Sequence, residues 1–391
     1  MIKPPFAVPS MAEIAALPWN GFTVASTFAG CGGSSTGYRM AGFRVAWASE
    51  FIPAAVETYR ANCSRRTQVD TRDIREVKAE DILAATGLAV GELDVLDGSP
   101  PCASFSTAGK REAAWGQVKN YSDTRQRVDD LFFEYARLID GLRPKVFVAE
   151  NVSGLIKGKA KGYFLEILAA LKAPGYRVSA RLLDAQWLGV PQARQRLIFV
   201  GVREDLALDP VHPTPLPYRY SIRDALPWVM SAEHGPASTN FGARGSPLSI
   251  DRAAPTIIAG AKGSGPHQIH VETETDISRY AIGEEWDKLA PGGQSERFFQ
   301  LVRPDADAPS PTITAAGGAP STAGVTHPTE KRKFAIAELR RICGFPDDFI
   351  LTGNYSQQWE RMGRSVPPVM MSHIAAAVRD RILIPAREAG R

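Results

Sequence analysis

The chain has 391 residues, 44% of them hydrophobic and 23% charged, too long for one ordinary domain and able to bury a full core with a second, smaller domain beside it. Its 46 Lys and Arg against 42 Asp and Glu leave a net charge of +4, which permits a polyanionic partner without requiring one and excludes a basic tail. Four cysteines, Cys31, Cys63, Cys102 and Cys343, with no CxxC pair among them, exclude a disulfide framework and a zinc site, and no apolar run reaches membrane-spanning length.

Residues 1–20 read as an extended, proline-punctuated lead-in with one short helical turn. Prolines and acids stand where a signal peptide would need an apolar stretch, so the protein is expected to be soluble and cytoplasmic. Residues 22–28 read as a buried strand running into Ala29-Gly30-Cys31-Gly32-Gly33-Ser34-Ser35-Thr36-Gly37, a glycine-rich turn that opens a helix. Glycines let the backbone approach a ligand, and the following helix offers free N–H groups and its positive dipole end. Many α/β turns carry glycines for purely steric reasons, so this turn alone decides nothing. A second strand over 43–49 ends at Glu50, about twenty residues past the glycines. An acid there holds ribose hydroxyls, or else serves the N-terminus of the helix predicted over 51–62.

Asp73-Ile74 are placed at the end of a third, short strand. Residues 93–97 make a fourth strand, 146–149 a fifth, and 176–183 with 197–202 two more, while 131–142 repeat apolar side chains at helical spacing. This alternation argues for an α/β, Rossmann-like, doubly wound and mostly parallel sheet with ligands at the strand C-termini. Composition shifts near Asp205, after which the chain is rich in Pro, Gly, Ser and His and no long amphipathic helix occurs before Ile282. The expected organisation is a lead-in over 1–20, a main domain over 21–204, an inserted loop-rich domain over 205–300 and a return segment over 301–391. In that last part Ile336, Leu339, Arg340 and Ile342 restore a helical pattern, Gly344-Phe345-Pro346 stops it, and 367–384 make a final helix that packs back on the main domain.

Chemistry gathers at Asp97-Gly98-Ser99-Pro100-Pro101-Cys102-Ala103-Ser104-Phe105-Ser106, which follows the buried run Leu93, Val95, Leu96. Two prolines fix φ and bar helix or ladder pairing just before the thiol, holding Cys102 on a stiffened turn that suits a nucleophile; the plain alternative is a small buried hydrophobe. Glu150-Asn151-Val152 ends the fifth strand as Cys102 follows the fourth. If those strands are neighbours, a flat heterocycle fits between them, with the thiol adding to a ring carbon and the acid protonating a ring nitrogen. Arg194 and Arg196, at alternate positions of Gln192-Ala193-Arg194-Gln195-Arg196, would share one strand face, either to recognise oxygen or phosphate or simply as a solvated surface.

These stretches, with Gly344-Phe345-Pro346-Asp347-Asp348-Phe349 and Gly363-Arg364-Ser365-Val366, resemble in order and over residues 22–380 the motifs of the S-adenosylmethionine-dependent C5 cytosine-specific DNA methyltransferases. The resemblance implies a role for each matched residue. Phe28 packs on the adenine and Phe51 on its other side, Gly30, Gly32 and Gly33 approach the methionine part, Glu50 holds the ribose, and Asp73 with Ile74 reads the adenine edge. Pro100, Arg364, Ser365 and Val366 complete the cofactor wall. Cys102 adds to cytosine C6 while Glu150 donates to N3; Arg196, and less directly Arg194, contacts O2 and steadies the thiolate. Loss of the C5 proton and β-elimination then free Cys102. Because C6 is inaccessible in a stacked duplex, the base must be flipped out at a cost of a few kcal/mol. The basic segment after Cys102, with Ser104, Ser106, Lys110 and Arg111, would close over a phosphate backbone. Residues 205–300 would read the major groove through Arg244, Lys262, His267 and Gln268. The implied enzyme belongs to restriction-modification, needs no metal or membrane, and works as a monomer on double-stranded DNA.

Two positions depart from the family pattern. Arg364 stands where the family has Asn, and a guanidinium beside a cationic sulfonium is unfavourable unless it meets an anion. Either it turns to a DNA phosphate or a local carboxylate, or it recognises a carboxylated cofactor analogue that delivers carboxymethyl to C5. Arg72 stands before Asp73 in place of the usual glycine. The competing functions are an RNA cytosine C5 methyltransferase, against which the long insertion stands, and a catalytically silent DNA-binding module, against which Cys102 and Glu150 stand together.

Overall fold

The computed structural model describes residues 3–101, 119–121, 124–126, 131–156, 160–229 and 275–391. Its strands are β1 (Thr23–Thr27), β2 (Arg44–Ser49), β3 (Gln68–Asp70), β4 (Val95–Gly98), a hairpin of β5 (Lys119–Tyr121) and β6 (Thr124–Gln126), then β7 (Val146–Val152), β8 (Tyr176–Asp184) and β9 (Gln195–Arg203). Seven of these form one sheet in the order β3-β2-β1-β4-β7-β9-β8. β9 pairs antiparallel with both β7 and β8, so it alone runs against the others. Register puts Val45, Val24, Val95, Val146 and Val202 in one row across five strands. β-branched side chains pack well on a pleated surface buried on both faces, which is why these strands read as near-continuous apolar runs.

The helices are α1 (Met11–Ala16), α2 (Gly33–Met40), α3 (Pro53–Asn62), α4 (Ala79–Thr86), α5 (Leu131–Leu142), α6 (Ala160–Lys172), α7 (Ile222–Ala225), α8 (Ala281–Trp286), α9 (Ile336–Ile342), α10 (Tyr355–Arg364), α11 (Pro368–Val378) and α12 (Ile384–Glu388). The valine row packs under α2, α11 and α12, with Tyr38, Met370, Met371, Ile374 and Leu383 fully buried. A side chain on Gly37 would strike Met371 Cβ at 2.6 Å, so glycine lets α2 and α11 close on one another. The opposite face, with Ala25, Leu96, Phe147 and Phe199, is covered by Ile82 of α4, Leu131, Tyr135 and Leu138 of α5 and Ile167 of α6. The final helix expected over 367–384 carries a π turn at Arg379–Leu383, where Ile384 N–H reaches back to Arg379 O; the wider turn precedes Pro385, which has no N–H to give.

Residues 230–274 are outside the described set. On either side of them Ile222, Leu226 and Val229 share a core with Ile313, Phe334, Leu339, Phe345 and Trp359, while Ile277, Ile282, Trp286 and Leu301 form a small core of their own. Leu206, with Leu208 and Val211, packs into the valine-lined core. Among the described residues no helix is long and apolar enough to cross a membrane.

Candidate active site

β3, β2, β1, β4 and β7 all run in one direction, so the loops leaving their C-terminal ends share one edge of the sheet. Strand order reverses between β1 and β4, the point at which an open α/β sheet leaves a crevice. β1 runs into Phe28, whose φ of 51° is left-handed although it is not glycine, and Gly32 follows at 96°. Such a backbone costs of order 1–3 kcal/mol and persists only where its surroundings dictate it. Ala29 N–H donates to Ser49 O at 2.9 Å and Gly30 N–H to Glu50 Oε2 at 2.7 Å, which hold the turn in place.

Glu50 also accepts from Ile52 N–H through Oε1 at 2.8 Å, so one buried carboxylate ties the glycine turn to the entry of α3. Burial raises its pKa, while the N–H groups of Ile52, Gly30 and Phe51 pull it down. Each oxygen keeps a lone pair with which to accept a ligand hydroxyl. A Cβ on Gly33 would fall 2.2 Å from Ser365 Oγ and 2.3 Å from Val366 O, so the backbone there must press against the α10–α11 junction. A Cβ on Gly30 would meet nothing within 4 Å. One glycine closes the turn and another opens it onto free space, a cradle that fits a nucleoside-bearing cofactor.

Asp73 and Ile74 do not end β3, as the sequence led us to expect; β3 stops at Asp70, and they stand in the turn beyond it. Asp73 accepts from its near neighbour Arg75, both from its N–H and from Nη1, at 3.0 Å each. Ile74 is buried, and Arg137 Nη2 of α5 pins the turn by donating to the carbonyls of Ile74 at 3.0 Å and Val77 at 2.9 Å. Arg72 pairs with Asp70 at 2.7 Å and with Asp81 at 3.1 Å. Phe51 is half-buried between β2 and α3.

The second half of the crevice forms where β4 meets β7. Gly98 pairs with Ala149, and Asn151 Nδ2 donates to Pro100 O at 3.1 Å, so the chain leaving β4 starts beside Glu150. β9, running the other way, brings its N-terminal end to this edge, with Arg196 opposite Val152. Arg196 therefore lies diagonal to Glu150 on one face, and its Nε meets Glu150 Oε1 at 2.6 Å in a largely buried ion pair. Arg194 is not part of a solvated surface. It precedes β9 and is 1% exposed, donating through Nη1 to Ile313 O at 3.1 Å and through Nη2 to Gly363 O at 2.9 Å and Ser365 O at 2.8 Å. Burial, with Arg196 close by, lowers its pKa to about 9. These carbonyls hold Arg194 because residues 313, 363 and 365 pack against the start of β9.

Arg364 meets the carboxylate of Glu360 one turn back on α10, Nη2 to Oε1 at 2.7 Å, so the anion weighed from sequence includes one supplied by the chain itself. Ser365 Oγ lies 3.5 Å from the buried Cys31 thiol, and Val366 is in the valine-lined core. Cys102, Ser104, Ser106, Lys110, Arg111, Arg244, Lys262, His267 and Gln268 lie outside the described residues. Two groups at the crevice escaped the sequence reading. Asn151 and Asp97 stand within motifs that assign neither a role of its own, although an acid closing a buried apolar run is a visible signal.

Known proteins agree with this geometry. The family described as C-5 cytosine-specific DNA methylase matches residues 22–380. Type II methyltransferase M.NgoFVII of Neisseria gonorrhoeae is 29% identical over 91% of this chain and 86% of its own length. Type II methyltransferase M.Sau96I of Staphylococcus aureus is 30% identical over 91% of this chain and 75% of its own. Among solved structures, a putative DNA modification methyltransferase encoded within an E. coli prophage superposes with a TM-score of 0.66 at 22% identity, covering 93% of this chain and 100% of that one. The S. pombe Dnmt2 methyltransferase superposes with 0.57 at 16% identity, over 92% and 98%, and so speaks for the fold alone. With strand order, crevice and motifs in agreement over nearly its whole length, this chain belongs to the C-5 cytosine-specific DNA methylase family and is a DNA cytosine-5 methyltransferase.

Proposed function

We propose that the enzyme methylates C5 of a cytosine flipped out of duplex DNA, using Cys102 as nucleophile and S-adenosylmethionine as cofactor, and that it acts in the cytoplasm as a monomer on DNA. The observation that carries the reading is the β4–β7 junction, where Pro100 is tied to Asn151 and Glu150 is tied to Arg196. The thiol adds to C6 and Glu150 holds a proton at N3, which together make C5 carbanion-like. Arg196, already fixing the Glu150 carboxyl in one orientation, faces the O2 edge of the base; Arg194 acts behind it by holding the return segment. Phe28, Phe51, Glu50, Asp73 and Ile74 hold the adenosine part of the cofactor, and Gly30, Gly32 and Gly33 with Pro100, Ser365 and Val366 enclose its methionine part. When bound, the cofactor supplies an electrophilic methyl group on a sulfonium. Since Arg364 has Glu360 as its anion, nothing at that position asks for a carboxylated donor. Ser104, Ser106, Lys110 and Arg111 contact phosphates, and Arg244 and Lys262 contact the target site.

The test expresses the full chain in cells lacking cytosine methylation and maps 5-methylcytosine by sequencing. A single methylated sequence context is expected, and unmodified DNA overturns the proposal. On an oligonucleotide duplex carrying 5-fluorocytosine in that context, the parent protein forms a covalent adduct and Cys102→Ala does not; an adduct that survives Cys102→Ala refutes the assigned nucleophile.

A further inference from the structure

Asp97 places a carboxyl group where a buried strand would ordinarily carry an aliphatic side chain. It closes the run Leu93, Val95, Leu96, is 2% exposed, and precedes Cys102 by five residues. Its Oδ2 accepts from Ser26 Oγ of β1 at 2.9 Å and from Ser34 Oγ, in the first turn of α2, at 2.7 Å. Its main-chain oxygen accepts from Thr27 Oγ1 at 3.0 Å. Tyr38, one turn beyond Ser34 on α2, turns its buried hydroxyl toward the same carboxyl and makes no hydrogen bond of good geometry. The other titratable groups that face Asp97 are Glu150 from β7, Tyr135 from α5 and Tyr59 from α3.

Two hydroxyls fall on one oxygen of this buried carboxyl, and the Tyr38 hydroxyl that faces it joins them in opposing the effect of burial. Burial, opposed by the serine hydroxyls, pushes the pKa of Asp97 up to about 7, with the Glu150 charge adding to the rise. The two strands and one helix so joined border both halves of the crevice. β1 and α2 bracket the glycine turn, and β4 leads into the segment that bears Cys102.

We propose that Asp97 is a positioning residue for methyl transfer: by gripping Ser26 and Ser34 it locks the first turn of α2 to the end of β4, which keeps the cofactor cradle and the nucleophile in one register. The inference rests on the function proposed above for this crevice.

The experiment uses the full chain, S-adenosylmethionine and a duplex with the mapped target sequence, with 5-fluorocytosine trapping to count active sites. Asp97→Leu, similar in size but with no acceptor, is expected to raise the KM for S-adenosylmethionine about tenfold, the scale of one lost buried hydrogen bond. It should also slow adduct formation per active site about tenfold at saturating cofactor. Asp97→Asn offers one carbonyl oxygen to both serines and an N–H to Tyr38, and should restore both values to within about twofold of the parent. A merely structural residue would lower the count of active sites and leave KM and the per-site rate alone. That result, or an Asp97→Asn variant as damaged as Asp97→Leu, overturns the inference. Should Asp97→Leu not fold, Ser34→Ala and Ser26→Ala carry the test, and unchanged KM in both defeats it. A parent protein that makes no methylcytosine refutes the proposed function instead, whereas an active parent matched by Asp97→Leu refutes this inference alone.

Discussion

The two halves of the crevice are built by different means. On the cofactor side, elements from β1 to β4 supply most of the joints, helped by the α10–α11 junction against Gly33 and by Arg137 on the Ile74 turn, and most are short and uncharged or singly charged: Gly30 and Ile52 N–H groups on Glu50, and serine hydroxyls on Asp97. On the base side, the joints are guanidinium groups bridging segments far apart in the chain: Arg196 on Glu150, and Arg194 on the carbonyls of residues 313, 363 and 365. A half assembled from neighbours needs glycine and a hydroxyl or two to close it. A half assembled from distant segments needs a long, rigid, multidentate donor, which arginine is.

That contrast can be broken from either side. The largest effect is expected from Arg194→Met, which leaves three carbonyls near the base half without their donor. Buried acceptors so orphaned cost about 1–3 kcal/mol each. Urea unfolding should show a loss of about 3 kcal/mol or more, and Arg194→Lys, which cannot reproduce the fork, should recover little of it. Next comes Gly33→Ala on the cofactor side. Its methyl has no place beside Val366 O, and overpacking of this kind costs about 1–3 kcal/mol, read both as a lower midpoint and as weaker S-adenosylmethionine binding by calorimetry.

A third test uses pH to separate the halves. Asp97 has a pKa near 7 in the folded protein, raised from the ordinary carboxyl value. Between pH 4 and 7 the folded state therefore holds a proton that the unfolded state has lost, and the stabilisation from Asp97 is complete below pH 4 and gone above pH 7. Asp97→Asn has nothing to titrate at that position. Its stability relative to the parent should therefore climb between pH 4 and 7, by up to a few kcal/mol, and level off above. A difference that stays flat over that range shows that the carboxyl is ionised throughout. The smallest effect belongs to Arg364→Ala: an exposed i,i+4 ion pair with Glu360 is worth about 0.3–0.5 kcal/mol, so the midpoint should hardly move.

The difference between the halves also explains what could be read in advance. The glycine turn, Glu50 and the fourth and fifth strands were legible because each is a local pattern: glycines after an apolar run, an acid at a strand end, β-branched residues in unbroken series. Their adjacency was posed as a condition and is met by the pairing of Gly98 with Ala149. The spacing of Arg194 and Arg196 did not show that β9 begins at Gln195, so that only Arg196 lies within the strand. Asp73 misled, since a three-residue edge strand leaves little pattern to bound it.

Sequence alone determined the element order, the family motifs and the chemistry they imply, because those rest on residue type and short-range spacing. Only the tertiary structure decided that β9 runs backwards to set Arg196 on Glu150, that Arg194 clasps the carbonyls of residues 313, 363 and 365, and that Asp97 joins β1, α2 and β4. Each of these is a contact between residues tens to hundreds of positions apart, and such pairings are fixed by how the sheet closes and how its buried polar groups find partners, which no local period encodes.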